Sequence, residues 1–339
     1  MSSTAELPPL KNTIRVAYGA GGALAGLIAE ATVKFDWIVD DTPGYAGHKF
    51  AGCPIRCSEA LLTLPPGSAY IVVCAQTSTA SKAMAGRLEK MGFRRGVSFC
   101  DSADLAVPRM SRRMAGLLGK PFNEPPLDRV RLAVEGVSLR NLSGIAGTWL
   151  FVALVEALSR EGIAGSVAEA GVYQGANAIA SLRCSSALRE RPYYLLDSFK
   201  GLGKASSCDP DSRGGEFSDV NPQGLREALA SFGNAHICSG LFDRTLPQLP
   251  AQRFALAYVD CDLSEPAEFC LNWFWERLAD GGFLLIHDYW FPDFEMPAAA
   301  PEPFRGIKSV ADRFIAVEGA RYVVHPETTH LVVRKERKL

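Results

Sequence analysis

The sequence predicts an α/β protein of two domains, each a mostly parallel sheet with helices on both faces. Three observations predict it. Apolar strand-like runs alternate with helical stretches; a strand, glycine turn and helix occur near residue 14 and begin again near residue 166; and 339 residues exceed what one core usually holds. Chains of this length commonly divide into domains of roughly 100 to 200 residues. Strands alternating with helices imply a parallel sheet covered on both sides.

In the first half, Ile14 to Tyr18 reads as a strand, Gly19-Ala20-Gly21-Gly22 as the turn after it, and Ala23 to about Ala31 as a helix. Phe35 to Val39 forms the second strand and ends on Asp40-Asp41. The very apolar run Ala69 to Ala75 precedes a helix from about Ser78 to Met91, and Phe93 to Phe99 supplies another strand. This domain is expected to span residues 1–107. From Val107 to Arg131 the alternation gives way to basic and proline-containing sequence, least regular at Pro121-Phe122-Asn123-Glu124-Pro125-Pro126, so 108–130 reads as a linker.

The second domain, 131–339, opens with a helix from about Thr148 to Glu161. Strands follow at Ser166 to Ala170, Tyr193 to Leu196, Ala235 to Cys238, Ala255 to Val259 and Phe283 to Ile286. Two last apolar runs, Ala320 to Val324 and Thr329 to Val333, flank His325-Pro326-Glu327-Thr328 and predict an antiparallel hairpin at the sheet edge. The apolar helical stretch before Ser166 offers a face suited to subunit contact, so a homo-oligomer is expected.

Composition narrows the function classes. Hydrophobic residues make up 47% and charged residues 22%, ordinary values for a globular chain. Thirty-six basic residues against 37 acidic ones leave a formal charge of −1, which gives no support to whole-protein attraction for nucleic acid or an anionic membrane. Nine scattered cysteines, without the paired clusters of a zinc site, read as reduced thiols. The N-terminal stretch lacks a secretory pattern and no run approaches the roughly 20 apolar residues of a membrane span, so a cytoplasmic location is expected.

The second domain carries the chemistry-bearing residues. A strand ending in Glu169, followed by Gly171 and Gly175, brings a helix N-terminus and bare backbone close to a ligand. The next strand ends at Asp197, placed to accept hydrogen bonds from ribose hydroxyls. Together they suggest an adenosine-containing cofactor; a packing turn and a surface aspartate are the plainer alternative. The fourth strand runs into Asp260-Cys261-Asp262 and the fifth into His287-Asp288-Tyr289. Ligands bind at the carboxyl edge of an open α/β sheet, so these side chains can converge on one cation there. Oxygen donors favour magnesium, calcium or manganese, and an imidazole also suits a transition metal. Such a cation would hold two neighbouring hydroxyls and lower the pKa of one. The competing account has the aspartates capping helices.

The segments Val167 to Gly175, Leu196-Asp197-Ser198-Phe199-Lys200-Gly201-Leu202, Tyr258 to Leu263 and His287-Asp288-Tyr289 resemble the macrocin O-methyltransferase family. Gly240 to Leu246 and Gly306 to Phe314 extend the resemblance over roughly residues 130 to 335. It implies a class I methyltransferase fold with a mostly parallel seven-stranded sheet, using S-adenosylmethionine to methylate a hydroxyl of a sugar, glycoside or sugar nucleotide. Carried over by position, it makes Glu169, Gly171, Tyr173 and Gly175 the cofactor loop, sets Asp197 and Ser198 at the ribose, and offers Phe199, Leu241 and Phe242 as the adenosine pocket. Ordinary core packing competes for those three, most of all for Leu241. Asp260 and Asp288, with His287, become ligands of a divalent metal such as Mg2+; Asp262 and His287 are the candidates to accept the proton. His287 stands where macrolide members have aspartate, and so its part as ligand, base or orienting group is open.

In the first domain, Gly19-Ala20-Gly21-Gly22 with Asp40 outlines a dinucleotide fold without the full G-x-G-x-x-G pattern. Val39 to Gly44 and Gly52 to Ile55 resemble small Rossmann-like domains attached to sugar-modifying enzymes, which implies nucleotide or nucleotide-sugar binding, dimerisation or acceptor presentation. Two rival functions follow: an NAD(P)-dependent oxidoreductase, with the second domain as its substrate domain, or a non-catalytic nucleotide-sugar-binding protein. The second glycine turn with Asp197 weighs against the first, and the carboxylates at 260, 262 and 288 against the other.

Overall fold

The computed structural model describes residues 13–29, 33–65, 67–75, 77–204, 209, 212, 214–292 and 306–336. Two sheets organise them. The N-terminal lobe is built in the order β1 (Ile14–Tyr18), α1 (Gly22–Ala29), β2 (Trp37–Val39), β3 (Lys49–Phe50), β4 (Cys53–Arg56), β5 (Ala69–Val73), α2 (Ser78–Lys90), β6 (Phe99–Asp101) and α3 (Ser102–Leu118). Its sheet runs β3-β4-β2-β1-β5-β6, parallel except for the β3–β4 hairpin. The expected end of α1 at Ala31 lies outside the described residues.

Two helices, α4 (Leu127–Glu135) and α5 (Gly144–Arg160), lead into the second lobe. It continues with β7 (Ser166–Ala170), α6 (Ala176–Cys184), α7 (Ser186–Arg189), β8 (Tyr193–Asp197), α8 (Pro222–Leu229), β9 (Ala235–Ser239), α9 (Phe242–Thr245), β10 (Phe254–Val259), α10 (Ser264–Arg277), β11 (Leu278–Ile286), α11 (Gly306–Glu318), β12 (Arg321–His325) and β13 (His330–Arg334). The sheet order is β12-β13-β11-β10-β7-β8-β9, with β13 antiparallel to both neighbours. The expected seven-stranded sheet with its antiparallel edge hairpin is therefore present.

Three expectations need correction. Of the expected linker 108–130, residues 108–118 belong to α3 and 127–130 to α4. Asp101 and Asp104 form a capping box at the start of α3, and Gly119 closes it in left-handed conformation. Between them Ala103, Ala106, Val107, Met110, Met114 and Leu117 make one buried stripe at helical spacing, which outweighs the hydrogen bond that Pro108 forgoes. Within the expected linker only 119–126 lies outside these two helices. The strand expected at Phe93 to Phe99 begins at its last residue, because Gly92 and Gly96 turn the chain at positive φ, 90° and 76°. The apolar face before Ser166 is not a subunit surface. From Trp149 to Val155 every residue of α5 is fully buried, packed against α3, α4, α6 and α7.

That burial joins the lobes. One continuous apolar core contains Leu24 of α1, Met110 of α3, Trp149 of α5 and Leu256 of β10. At the seam, α1 lies on the turn between β12 and β13, and Arg113 of α3 grips Glu327 there with both terminal guanidinium nitrogens, the closest contact 2.8 Å.

Candidate active site

The second sheet delivers its polar residues at the carboxyl ends of β7, β8, β10 and β11. Four non-glycine residues at these ends adopt left-handed backbone: Tyr173 (φ 51°), Phe199 (φ 51°), Asp262 (φ 58°) and Asp288 (φ 55°). Such conformations persist where surrounding structure imposes them, and they concentrate at functional sites.

Asp197 closes the glycine turn. Its Oδ2 accepts from the backbone N–H of Val172 (2.8 Å) and Tyr173 (2.9 Å), and its Oδ1 from that of Phe199 (2.7 Å). Three of about four carboxylate acceptor directions are thus filled, leaving one on Oδ1 for a ligand hydroxyl. Glu169 lies beneath the turn, 2% exposed; it accepts from Tyr193 Oη and, at 3.3 Å, from Asn177 Nδ2. Burial lifts its pKa to about 8 against those two hydrogen bonds, with Asp260 and Asp197 adding to the rise.

Nδ1 of His287 sits 3.0 Å from Asp260 Oδ1 and 3.3 Å from Asp288 Oδ1. Both are ion-pair distances, yet this buried nitrogen makes no well-formed hydrogen bond to either oxygen. One donor atom from each of Asp260, His287 and Asp288 falls within 4.8 Å of the others. Burial opposes charge on His287, but Asp260 and Asp288 outweigh it and hold the pKa well above the usual imidazole value. Burial, then Asp288 and Asp260, push Asp262 well above the usual carboxylate range. Three crowded carboxylates, with a proton held on His287 and on Asp262, are a setting that a divalent cation balances equally well.

A cavity of about 880 Å3 joins these groups. Glu169, Gly171, Tyr173, Asp197, Ser198, Leu241, Phe242, Asp260, Asp262, His287 and Asp288 all line it. Gly175 and Phe199 do not. Gly175 begins α6 at φ 81°, where an added Cβ would strike the Leu225 side chain, and the Phe199 ring is 8% exposed within the core. Leu241, for which core packing competed most, is 63% exposed and stands on the cavity wall.

Sequence reasoning missed Tyr258 and His330, both 1% exposed. Tyr258 Oη donates to Asp260 Oδ2 at 3.0 Å and lies 3.1 Å from His330 Nε2; with the phenol proton committed to Asp260, His330 presents Nε2–H to the phenol oxygen. The two-residue period of β10 puts Tyr258 on the face of Asp260, a signal the sequence carried. His330 reaches the site only through the pairing of β13 on β11. Tyr45 and Lys49 have the Tyr-x-x-x-Lys spacing of some nicotinamide-dependent oxidoreductases, but Tyr45 is buried in a turn and Lys49 is exposed on β3, away from the cavity.

The strand order, the glycine turn after the first strand of the second sheet and the acid ending the next define a class I methyltransferase. The chain belongs to the macrocin O-methyltransferase family: the model described as Macrocin-O-methyltransferase (TylF) matches residues 149–322, leaving the N-terminal lobe outside the matched segment. It is 28% identical over 248 residues to the 8-demethyl-8-(2,3-dimethoxy-alpha-L-rhamnosyl)-tetracenomycin-C 4'-O-methyltransferase of Streptomyces olivaceus, covering 65% of this chain and 91% of that one. It is 26% identical over 179 residues to the mycinamicin III 3''-O-methyltransferase of Micromonospora griseorubida, covering 48% and 69%. Among solved structures it is similar to the O-methyltransferase NovP, at TM-score 0.48 and 19% identity over 69% of this chain and 100% of that one. The protein is an S-adenosylmethionine-dependent O-methyltransferase, and no helix among the described residues is long and apolar enough to cross a membrane.

Proposed function

We propose that this enzyme methylates a hydroxyl of a sugar or glycoside, with a divalent cation of the Mg2+ type held by Asp260, His287 and Asp288. His287 Nδ1, beside two carboxylate oxygens within 4.8 Å yet making no well-formed hydrogen bond to either, carries the cation assignment. Two oxygens and one nitrogen form a donor set that such a cation accepts. When bound, it would supply positive charge beside the acceptor hydroxyl and favour its deprotonation.

The protein's own groups do the positioning. Asp197 offers its remaining acceptor direction to a ribose hydroxyl, Gly171 and Tyr173 bring bare backbone against the cofactor, and Leu241 with Phe242 flank the adenosine. Glu169 supports the turn from below. With His287 Nδ1 turned into the ligand cluster, and a bound cation balancing the charge that otherwise keeps Asp262 protonated, Asp262 is left to accept the acceptor's proton. Holding oxygen, methyl carbon and sulfur in line makes the displacement effectively unimolecular. The sugar acceptors in both relatives' names support the acceptor class.

Isothermal titration with S-adenosylmethionine, with and without Mg2+, tests the assignments. Wild type should bind, Asp197→Ala should not, and Asp260→Ala should bind the cofactor while losing methyl transfer. Failure of wild type to bind under either condition sinks the proposal.

A further inference from the structure

The cavity has a second wall, which the N-terminal lobe supplies. Strands β1, β5 and β6 are neighbours in the first sheet, and residues just beyond their carboxyl ends, among them Gly22, Thr77, Ser81 and Ser102, line the same 880 Å3 as the candidate cation ligands. In open α/β sheets the carboxyl edge is the ligand edge. Here two such edges open on one space, near the upper end of the roughly 300–1,000 Å3 typical of small-molecule sites. Glu327 and Thr328 of the edge turn line the space between them.

The first lobe's own candidate ribose-binding acid does not line this cavity. Asp40, which stands where a dinucleotide fold places its ribose-binding acid, is 7% exposed. Its Oδ2 accepts from Ala20 N–H at 2.6 Å and its Oδ1 from Thr42 N–H at 2.7 Å. The two longer helices at this edge also satisfy their own starts: Thr77 Oγ1 accepts from Ala80 N–H at 3.2 Å, and Asp101 Oδ1 from Ala103 N–H at 2.9 Å. Ser81 Oγ donates to Asp101 Oδ2, and Ser102 Oγ to Asp101 Oδ1 at 3.5 Å, so what remains toward the cavity is chiefly acceptor oxygens of hydroxyls and one carboxylate. Among the described residues the lobe contributes no lysine or arginine to this wall. Acceptor oxygens match the hydroxyl donors of a polyol; a phosphate, which only accepts, would meet Asp101 here with no basic side chain from this lobe, since Arg140, Lys200 and Lys204 line the cavity from outside it.

We infer that the N-terminal lobe forms the acceptor half of the active site, and that the part of the acceptor it holds is an uncharged, hydroxyl-bearing sugar rather than a nucleotide diphosphate. The inference rests on the sugar O-methyltransferase function proposed above and places a binding site outside the segment shared with the family model.

The test uses the full chain with radiolabelled S-adenosylmethionine, Mg2+ and two probes, methyl α-L-rhamnopyranoside and dTDP-L-rhamnose, on wild type, Ser102→Phe and Ser102→Ala. The rhamnoside should be preferred in kcat/KM. Ser102→Phe should raise its KM about tenfold, and Ser102→Ala should raise it less, while cofactor affinity stays within about twofold, which also reports that each variant is folded. Unchanged KM in Ser102→Phe, or preference for dTDP-L-rhamnose, overturns the inference. Loss of cofactor binding in wild type would instead overturn the methyltransferase function beneath it. If wild type binds the cofactor but methylates neither sugar, saturation-transfer NMR of both sugars on the S-adenosylhomocysteine complex decides: rhamnoside binding weakened by Ser102→Phe sustains the inference, and identical or absent signals overturn it.

Discussion

A Cβ placed on Gly171 would stand 1.7 Å from the carbonyl oxygen of Asp260. These residues follow neighbouring strands, β7 and β10, and Asp260 N–H bonds to the carbonyl of Ala170 at 2.8 Å. The proposed cofactor turn and the candidate cation ligand therefore touch through main chain alone. Gly171 also has φ 95°, which L side chains resist. Gly171→Ala is expected to lose cofactor binding and to destabilise the fold by at least about 2 kcal/mol. Urea denaturation alongside cofactor titration checks this; a variant of wild-type stability would show that the two turns do not meet as described.

Tyr258 should act on Asp260 without touching substrate. Its hydroxyl fixes one carboxylate oxygen and is itself held by His330, which burial and the neighbouring His287 keep neutral. Groups that orient a metal ligand commonly change metal affinity by about 10- to 100-fold when removed. Tyr258→Phe should weaken Mn2+ binding, followed by electron paramagnetic resonance, by that amount and leave cofactor affinity unchanged. Equal Mn2+ affinity in the two proteins would remove Tyr258 from this role.

Glu169 makes stability depend on pH in a direction opposite to most carboxylates. Its folded pKa, raised by burial to about 8, exceeds the ordinary value of 4.5, so the unfolded chain releases this proton first. The contribution is full below about pH 4.5 and declines as pH rises toward 8. Ligand-free wild type should therefore lose stability over that interval relative to Glu169→Gln, which has no proton to release. Denaturation midpoints for both proteins between pH 5 and 8 measure the difference; parallel curves would mean that Glu169 ionises in the fold as readily as outside it.

The second sheet was legible because each of its strands is a short apolar run ending in punctuation: glycine after Ala170, aspartate at 197 and 260, histidine at 287. The residues that end these strands are those that line the cavity, so strand recognition located most of the site at once. Helix α3 was hidden by Pro108, whose local penalty is plain in sequence while the buried stripe that overrides it needs α5 as a partner. His330 was hidden for a similar reason, since a residue on an edge strand joins a site only through its pairing. The proposed acceptor wall was least legible of all: Thr77, Ser81 and Ser102 are ordinary helix-start residues until the two lobes are set face to face.

The contact that sets them so can be tested at Gly26. This residue lies inside α1, where replacing glycine by alanine ordinarily adds about 1 kcal/mol of stability through helix propensity. Here an added Cβ would come 2.4 Å from both the Cα of Glu327 and the carbonyl oxygen of Pro326. Both are main-chain atoms, so no side chain can swing aside and α1 must move off the hairpin turn. Overpacking of this kind costs about 1–3 kcal/mol, enough to reverse the usual sign. Because α1 begins at Gly22 on the cavity wall, the same displacement should raise acceptor KM while the cofactor turn, carried by the other lobe, keeps its affinity. Thermal denaturation gives the sign directly: a Gly26→Ala protein more stable than wild type would mean that α1 does not press on residues 326–327, and the two-walled cavity would lose the contact that holds its halves together.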